Sequence, residues 1–401
     1  MKKTDLKLAI GLFVLFVGFL NIQKGFSQDN NSNLPTAGFD TTQYHPIFIQ
    51  SKDGQFKLNL GMYTQVRYNM NWRADLPDSV ANYTRGYNLA RTRIFLEGDL
   101  TDKMYYHFRM NINPSGNFEL MLAYLQFNIN KKWQIRAGKQ YMALGREDWI
   151  LPQDLASMEF SAHDFTFAIW TSFGIQVRNT PNDHMRYWLG VSNGSYGARK
   201  PFPGPTDSDV MLTGRFEWNV KGTNWGDFDD MLGKRGRDFG VLVGFGAGQL
   251  FRYDKTAIKT EANNASQFNL DLTISGNGFQ FFAQSSVTNL HYDAGVANDY
   301  SPFGAYSTLG YWLSDRMFSY GRFDYVSAGN KTGAWEDYVS PGLGISYYPF
   351  TWSNRIRMTA EYNFLGSTLN KTIVAPDAQL GIIESSYGGQ QSVRLQLQFG
   401  F

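Results

Sequence analysis

Arginine is the residue type with the most chemistry to offer in this chain, and its spacing is regular. Arg91 and Arg93 stand two apart, as do Arg355 and Arg357, while Arg109, Arg136, Arg186, Arg215 and Arg394 each sit among alternating apolar residues. A guanidinium stays charged at any working pH, and its planar fork matches carboxylate and phosphate oxygens. That chemistry is non-covalent: binding, steering or bracing. Candidates for covalent chemistry are thinner. The histidines are His45, His107, His163, His184 and His291, and His163-Asp164 and His291/Asp293 bring an acid close by. A surface hydrolase would have to build its base from these, within hydrogen-bond reach of a nucleophile. The chain has no GxSxG elbow, HExxH or Walker-type loop. It also has no cysteine, which excludes a thiol nucleophile and a disulfide scaffold. Asp227-Phe228-Asp229-Asp230 clusters oxygen ligands but misses the EF-hand spacing, so it reads as a solvated turn. No metal, no cofactor and no nucleic-acid partner is expected.

The elements that carry these arginines are alternating strands. Side chains in a strand point to opposite faces with period two. In 392–401, Val393, Leu395, Leu397, Phe399 and Phe401 alternate with Arg394, Gln396, Gln398 and Gly400. The run 56–69 does the same, with Leu58, Leu60, Met62, Val66 and Tyr68 opposite Lys57, Asn59, Gln65 and Arg67. Further strands are expected at 88–100, 104–112, 118–130, 133–141, 165–178, 184–192, 209–220, 237–249 and 266–276. Others fall at 278–288, 304–313, 316–327, 338–349, 353–365 and 390–401. The count is about sixteen, an even number as bacterial single-chain barrels require. The fold class is therefore all-β, a transmembrane antiparallel barrel.

The two ends of the chain agree with that reading. Lys2 and Lys3 precede an uncharged apolar run at 8–20, and Gly25-Phe26-Ser27 offers small residues before Gln28. Residues 1–27 are thus expected to be a cleaved secretory signal peptide, and 28–55, polar and without period, a periplasmic segment ahead of a barrel at 56–401. No other apolar run approaches the roughly 20 residues of a membrane helix, and only helices and closed barrels satisfy every backbone group in lipid. The aromatic last residue, Phe401, resembles the C-terminal signature that outer-membrane insertion machinery reads. Links between strands alternate short and long, as periplasmic turns and outer loops do. The short link at 114–117 and the long one at 221–236 are out of step. Tyr347-Tyr348-Pro349-Phe350-Thr351-Trp352 reads as part of an interfacial aromatic girdle.

The stretch AYLQFNINKKWQIRAGKQYMALGREDWILPQDLASMEF at 123–160, with LARTRIFLEGDL at 89–100, resembles the phosphate-selective porin O and P family. Arg91, Arg93 and Gly98, then Gly138-Lys139-Gln140, then Gly145-Arg146-Glu147 occupy the places of that family's motifs. The resemblance implies a homotrimeric channel in the outer-membrane bilayer, admitting small anionic or neutral solutes. It also implies a third extracellular loop, 141–164 here, that folds into the lumen and narrows it, with Arg146, Glu147, Asp148 and Trp149 as constriction candidates. Better-studied members concentrate lysine and arginine along the pore. This loop carries more acids than bases.

Inward positions on this register include Lys57, Arg67, Arg91, Arg93, Arg109, Arg136, Arg178, Arg186, Arg215, Arg322, Arg355, Arg357 and Arg394. Against them stand Glu97, Asp99, Glu217, Asp271, Asp324 and Glu361. A passage lined with an excess of one sign concentrates the opposite ion, and arginine rings are a usual device of anion pores. Some of these arginines can instead brace the wall, Arg93 with Glu97 or Arg215 with Glu217. A mild anion preference is the reading drawn from this face. The alternative is a barrel-anchored surface hydrolase or ligand-binding protein.

Overall fold

The computed structural model describes residues 36–39, 47–73, 82–112, 116–194, 210–222, 224–251, 264–292, 298–329, 336–351, 353–369, 373–374, 377, 379–385 and 388–401. The expected signal peptide lies outside them. Two short strands come first, β1 (Thr36–Phe39) and β2 (Ile47–Gln50). Then β3 (Lys57–Arg73), β4 (Tyr83–Thr101), β5 (Met104–Ile112), β6 (Phe118–Asn128) and β7 (Trp133–Tyr141) open the barrel. β8 (Thr171–Asn182), β9 (Met185–Ser192), β10 (Val210–Lys221), β11 (Gly240–Phe251), β12 (Asn264–Gly276) and β13 (Phe279–His291) continue it. β14 (Phe303–Trp312), β15 (Met317–Ser327), β16 (Tyr338–Tyr347), β17 (Arg357–Leu365) and β18 (Gln390–Gly400) complete it. Each pairs antiparallel with its neighbour in sequence, and β18 returns to pair with β3. The sheet closes, so β3–β18 form a sixteen-strand antiparallel barrel.

The two-residue period decides which way each strand faces. Along β18, Gln390, Ser392, Arg394, Gln396 and Gln398 are buried, while Leu395, Leu397 and Phe399 are exposed on the outside. Leu189, Leu270, Leu309 and Leu343 are likewise exposed. Apolar side chains face outward and arginines inward, the reverse of a soluble protein and the arrangement that lipid demands. Of the aromatic run, Tyr347 and Phe350 face out, but Tyr348 points inward and is fully buried. Trp352 lies outside the described residues.

At the seam, Phe401 and Met62 exchange backbone hydrogen bonds of 2.9 and 3.0 Å. Beyond that point β2 takes over the same edge of β3, pairing Ile47–Gln50 with Lys57–Leu60. β1 and β2, in a stretch read from sequence as aperiodic, pair antiparallel with each other, and β2 lengthens the seam. Four-residue strands are too short to show a period, and these form because a free edge of β3 is there to receive them.

Other departures have local causes. The expected strand at 165–178 begins only at Thr171, because Ala162–Phe167 is a helical turn, α1. Ser161 caps it, its hydroxyl accepting from the Asp164 N–H at 2.8 Å. The Ser-x-x-acid spacing was the available signal. β17 begins at Arg357, so Arg355 lies in the turn before it. Both out-of-step links are real. The 113–117 link is short at the long-loop end, and 222–239 is long at the turn end, where β3 begins and β18 finishes.

The 222–239 link folds back into the barrel. Met231 and Leu232 join Ile150, Leu155, Ala156 and Phe160 from the link 142–170, and Phe282, Tyr306, Trp312, Phe318, Tyr320 and Tyr348 from the wall. Trp312 donates its indole N–H to the Leu232 carbonyl at 2.7 Å, and the Met231 N–H reaches the Asp154 carbonyl at 2.9 Å. From the opposite end, Leu369, Val374, Leu380 and Ile382 pack with α1 residues Ala162 and Phe167. The interior holds three folded links, and apolar wall positions occur where they land.

Candidate functional site: the barrel interior

The link 142–170, third of the long-end connections, runs inside the barrel and is almost wholly buried. Its charged groups meet inward-facing charges of the strands. Glu159 receives Arg67 of β3 at 3.0 Å and Arg91 of β4 at 2.5 Å. Arg67 also donates to Gln396 and the Gln379 carbonyl, and Arg91 to Gln65 and Gln379. Burial alone would raise the Glu159 pKa, but Arg91 and Arg67 hold its carboxyl down to about 2. Glu217 gathers Arg146 of the loop at 3.0 Å, Arg186 at 2.5 Å and Arg215 at 2.8 Å. Arg215 in turn reaches Asp271 at 2.7 Å and the Leu144 carbonyl at 2.7 Å. Glu361 pairs with Arg394, stands 3.8 Å from Arg322, and accepts from the Met158 N–H at 3.1 Å. Arg357 donates to the Leu155 and Ala156 carbonyls, both at 2.8 Å.

The loop's remaining acids are turned inward on themselves. Glu147 accepts from the Ser161 N–H at 2.9 Å and its hydroxyl at 2.5 Å. Burial, with Asp324 nearby, pushes its carboxyl up to about 8 against these hydrogen bonds. The Asp148 and Asp164 carboxyls influence one another, and burial above all holds both above the ordinary range. Burial, then the neighbouring Asp230, raises Asp154 to about 7. At neutral pH Glu159 is therefore paired with arginine and Glu147 largely protonated, while Asp154, at about 7, is half ionised and Asp148, at about 6, mostly ionised. The acid-rich loop keeps only part of its formal negative charge.

The wall from β4 to β9 is different. Arg109 lies over the Phe95 ring at 4.7 Å and the Tyr141 ring at 5.9 Å. Arg136 lies over Tyr124 at 5.1 Å and donates to Gln126 at 2.7 Å. Arg178 lies over Trp188 at 5.3 Å. Cation–π contact stabilises such guanidiniums without neutralising them. None of the three has a carboxylate at ion-pair distance among the described residues. Arg93 lies over Tyr63 at 5.9 Å. Glu97, a candidate partner by sequence, meets His107 at 2.7 Å and Tyr105 at 2.8 Å. Trp149 packs edge-on against Trp188 at 4.7 Å. Arg355 lines a small recess at the turn end with Met62, Tyr63 and Phe401.

The model of the family described as phosphate-selective porin O and P matches residues 62–401. The chain belongs to this family. It is an outer-membrane porin. Its fold is similar to the anion-selective porin from Comamonas acidovorans, 11% identical, covering 86% of this chain and 100% of that one with a TM-score of 0.60. It is also similar to Salmonella typhi OmpF in complex with daunomycin, at 10% identity, 86% and 98% coverage and TM-score 0.58. The channel DcaP of Acinetobacter baumannii aligns at 12% identity, 88% and 99% coverage and TM-score 0.55. A search of curated protein sequences returns no match.

Two glycines of the porin's motifs have a steric reason. Gly98 and Gly138 adopt φ of +158° and +130°, and a Cβ there would lie 1.9 Å from the Lys57 carbonyl oxygen and 2.3 Å from that of Ala123. The sequence candidates in this porin divide sharply. Arg91, Arg186, Arg215, Arg357 and Arg394 point inward but are closed by acids or carbonyls, whereas Arg109 and Arg136 are not. Arg67 and Arg322, read from sequence only as inward positions, hold the loop at Glu159 and its carbonyl. Of the histidines next to acids, His163 is buried against Ser286 at 2.9 Å, and burial pushes its pKa down to about 3. His291 meets Asp299 at 3.0 Å on the surface, and Asp293 lies outside the described residues. In the acidic turn, Arg237 takes both Asp230 oxygens at 2.9 Å.

Proposed function

We propose that this porin is a passive, non-enzymatic pore for small hydrophilic solutes with a mild preference for anions, working as a homotrimer. The passage runs between the inner surface of the 142–170 loop and the β4–β9 wall, with the long links outside the cell and both termini in the periplasm. On this reading residues 1–27 are removed on export and 28–55 stay on the periplasmic side. The observation that carries the proposal is the lack, among the described residues, of carboxylate partners for Arg109, Arg136 and Arg178, beside a loop in which Glu159 is paired with arginine and Glu147 protonated. Uncompensated guanidiniums in a low-dielectric passage draw anions in.

Reversal potentials across a salt gradient test this. The wild type is expected to favour chloride over potassium, and Arg109→Ala/Arg136→Ala/Arg178→Ala to lose most of that preference while keeping its heat-shifted mobility on gels. An unchanged ratio in the variant overturns the assignment.

A further inference from the structure

We propose that His107, held by Glu97 on the wall between Arg109 and Arg136, is an acid-charged rung of an oxyanion-binding station in the passage. The inference rests on the anion-pore reading and adds a regulator to it.

His107 is buried, and its Nδ1 stands 2.7 Å from Glu97 Oε2 across the β4–β5 ladder. The Tyr105 hydroxyl donates to the same carboxylate oxygen at 2.8 Å and lies 3.3 Å from Nδ1. Tyr124 of β6 stacks flat on the imidazole, 5.4 Å between centroids and 2° between planes, and Phe95 meets its edge at 6.4 Å. The ring therefore cannot turn. With Nδ1–H donated to Glu97, the free nitrogen is Nε2, which is buried and has no hydrogen-bond partner. In the neutral ring Nε2 is a bare lone pair that repels an oxyanion. On protonation it becomes an N–H donor.

The charged and titratable groups facing this ring are Glu97 from β4, Tyr105 and Arg109 from its own strand, Tyr124 from β6 and Arg136 from β7. Arg109 follows it by two residues on the same face of β5, about 6.6–6.8 Å along the strand. Arg136 is inward on β7, beside Gln126. Burial opposes the charged imidazole most, the two arginines add to that, and Glu97 favours it. An oxyanion arriving between the arginines offsets their share and accepts the new N–H. Binding and protonation are then linked, and the coupling is reciprocal. A plain arginine ladder would bind anions equally well at every pH. This one tightens in acid.

Single-channel recording of full-length porin in potassium chloride tests the station, with sulfate as the probe because its charge is constant across the range used. Wild type should be blocked about tenfold more tightly at about pH 5 than at about pH 8, the worth of one added charge-assisted hydrogen bond. His107→Gln should show the same block at both. Glu97→Gln, which leaves the ring in place, should need a lower pH for the same tightening. Arg109→Ala should weaken the block throughout. A pore without chloride preference at either pH overturns the proposed function and the station with it. A chloride-preferring pore whose sulfate block ignores pH, or whose pH response survives His107→Gln, overturns the station alone.

Discussion

Arg67 in the first barrel strand and Glu159 near the end of the third loop stand 3.0 Å apart with neither side chain exposed. Arg91 closes on the same carboxylate from the next strand. One acid thus pins the loop to two neighbouring strands. Removing one partner of a buried pair leaves the other charge uncompensated, at a cost of about 3–5 kcal/mol. Glu159→Gln should accordingly lower the temperature at which the folded gel band disappears, and raise single-channel conductance as the loop loosens. A variant with wild-type melting and conductance would show that the pair anchors nothing.

The same contact changes what arginine substitutions should do. Sequence alone suggests that Arg91→Ala/Arg93→Ala/Arg109→Ala folds normally and only shifts selectivity. Because Arg91 holds Glu159, Arg91→Ala should by itself reduce thermal stability, whereas Arg109→Ala, which breaks no ion pair, should alter selectivity with little change in melting. Melting curves of the two single variants, run side by side, separate the roles.

Stability against pH has opposite signs at two loop carboxyls. Glu159, held at about 2 against an ordinary 4.5, adds stability above pH 4.5 that is lost as pH falls toward 2. Glu147, raised to about 8 from 4.5, binds its proton when folded but not when unfolded. Stability from this group is full below 4.5 and drains away as pH rises through 8. Glu147→Gln should flatten that decline, so its advantage over wild type grows from pH 5 to pH 8 in thermal melts. A constant offset would contradict the protonated state of Glu147.

A loop that did no more than narrow the lumen could lose 147–157 with a wider pore and an undisturbed wall. The structure alters the second half of that statement. The segment supplies Ile150, Leu155 and Ala156 to the interior cluster and the carbonyls that Arg357 grips. The deletion should raise conductance and also destabilise the barrel, visible as a lower heat-shift temperature. Unchanged conductance would place the passage elsewhere.

Gly138→Ala puts a methyl against the Ala123 carbonyl oxygen on the β6 backbone, at a φ of +130°. Backbone cannot yield as a side chain can, and L residues rarely adopt this conformation. The variant should assemble poorly, giving little heat-shifted band, while Gly86→Ala, with open space around it, should assemble as wild type.

The alternation of apolar and polar residues determined the barrel, its strands and its inside-out polarity, because lipid outside and charge inside are read by a period of two that each strand carries in itself. Link lengths marked the two ends, including the unusual long turn at 222–239. What the period cannot carry is the partner of an inward charge. Arg91 and Arg93 have the same neighbours in the same pattern, yet Arg91 meets an acid sixty-eight residues away, while Arg93 lies over Tyr63. Glu97, four positions from Arg93, meets a histidine on the next strand. Those choices depend on the path of a loop held by many strands at once, each contributing a contact remote in sequence. Only when that path is laid down do identical arginines separate into braces, such as Arg67 and Arg357, and guanidiniums left without a carboxylate, such as Arg109 and Arg178.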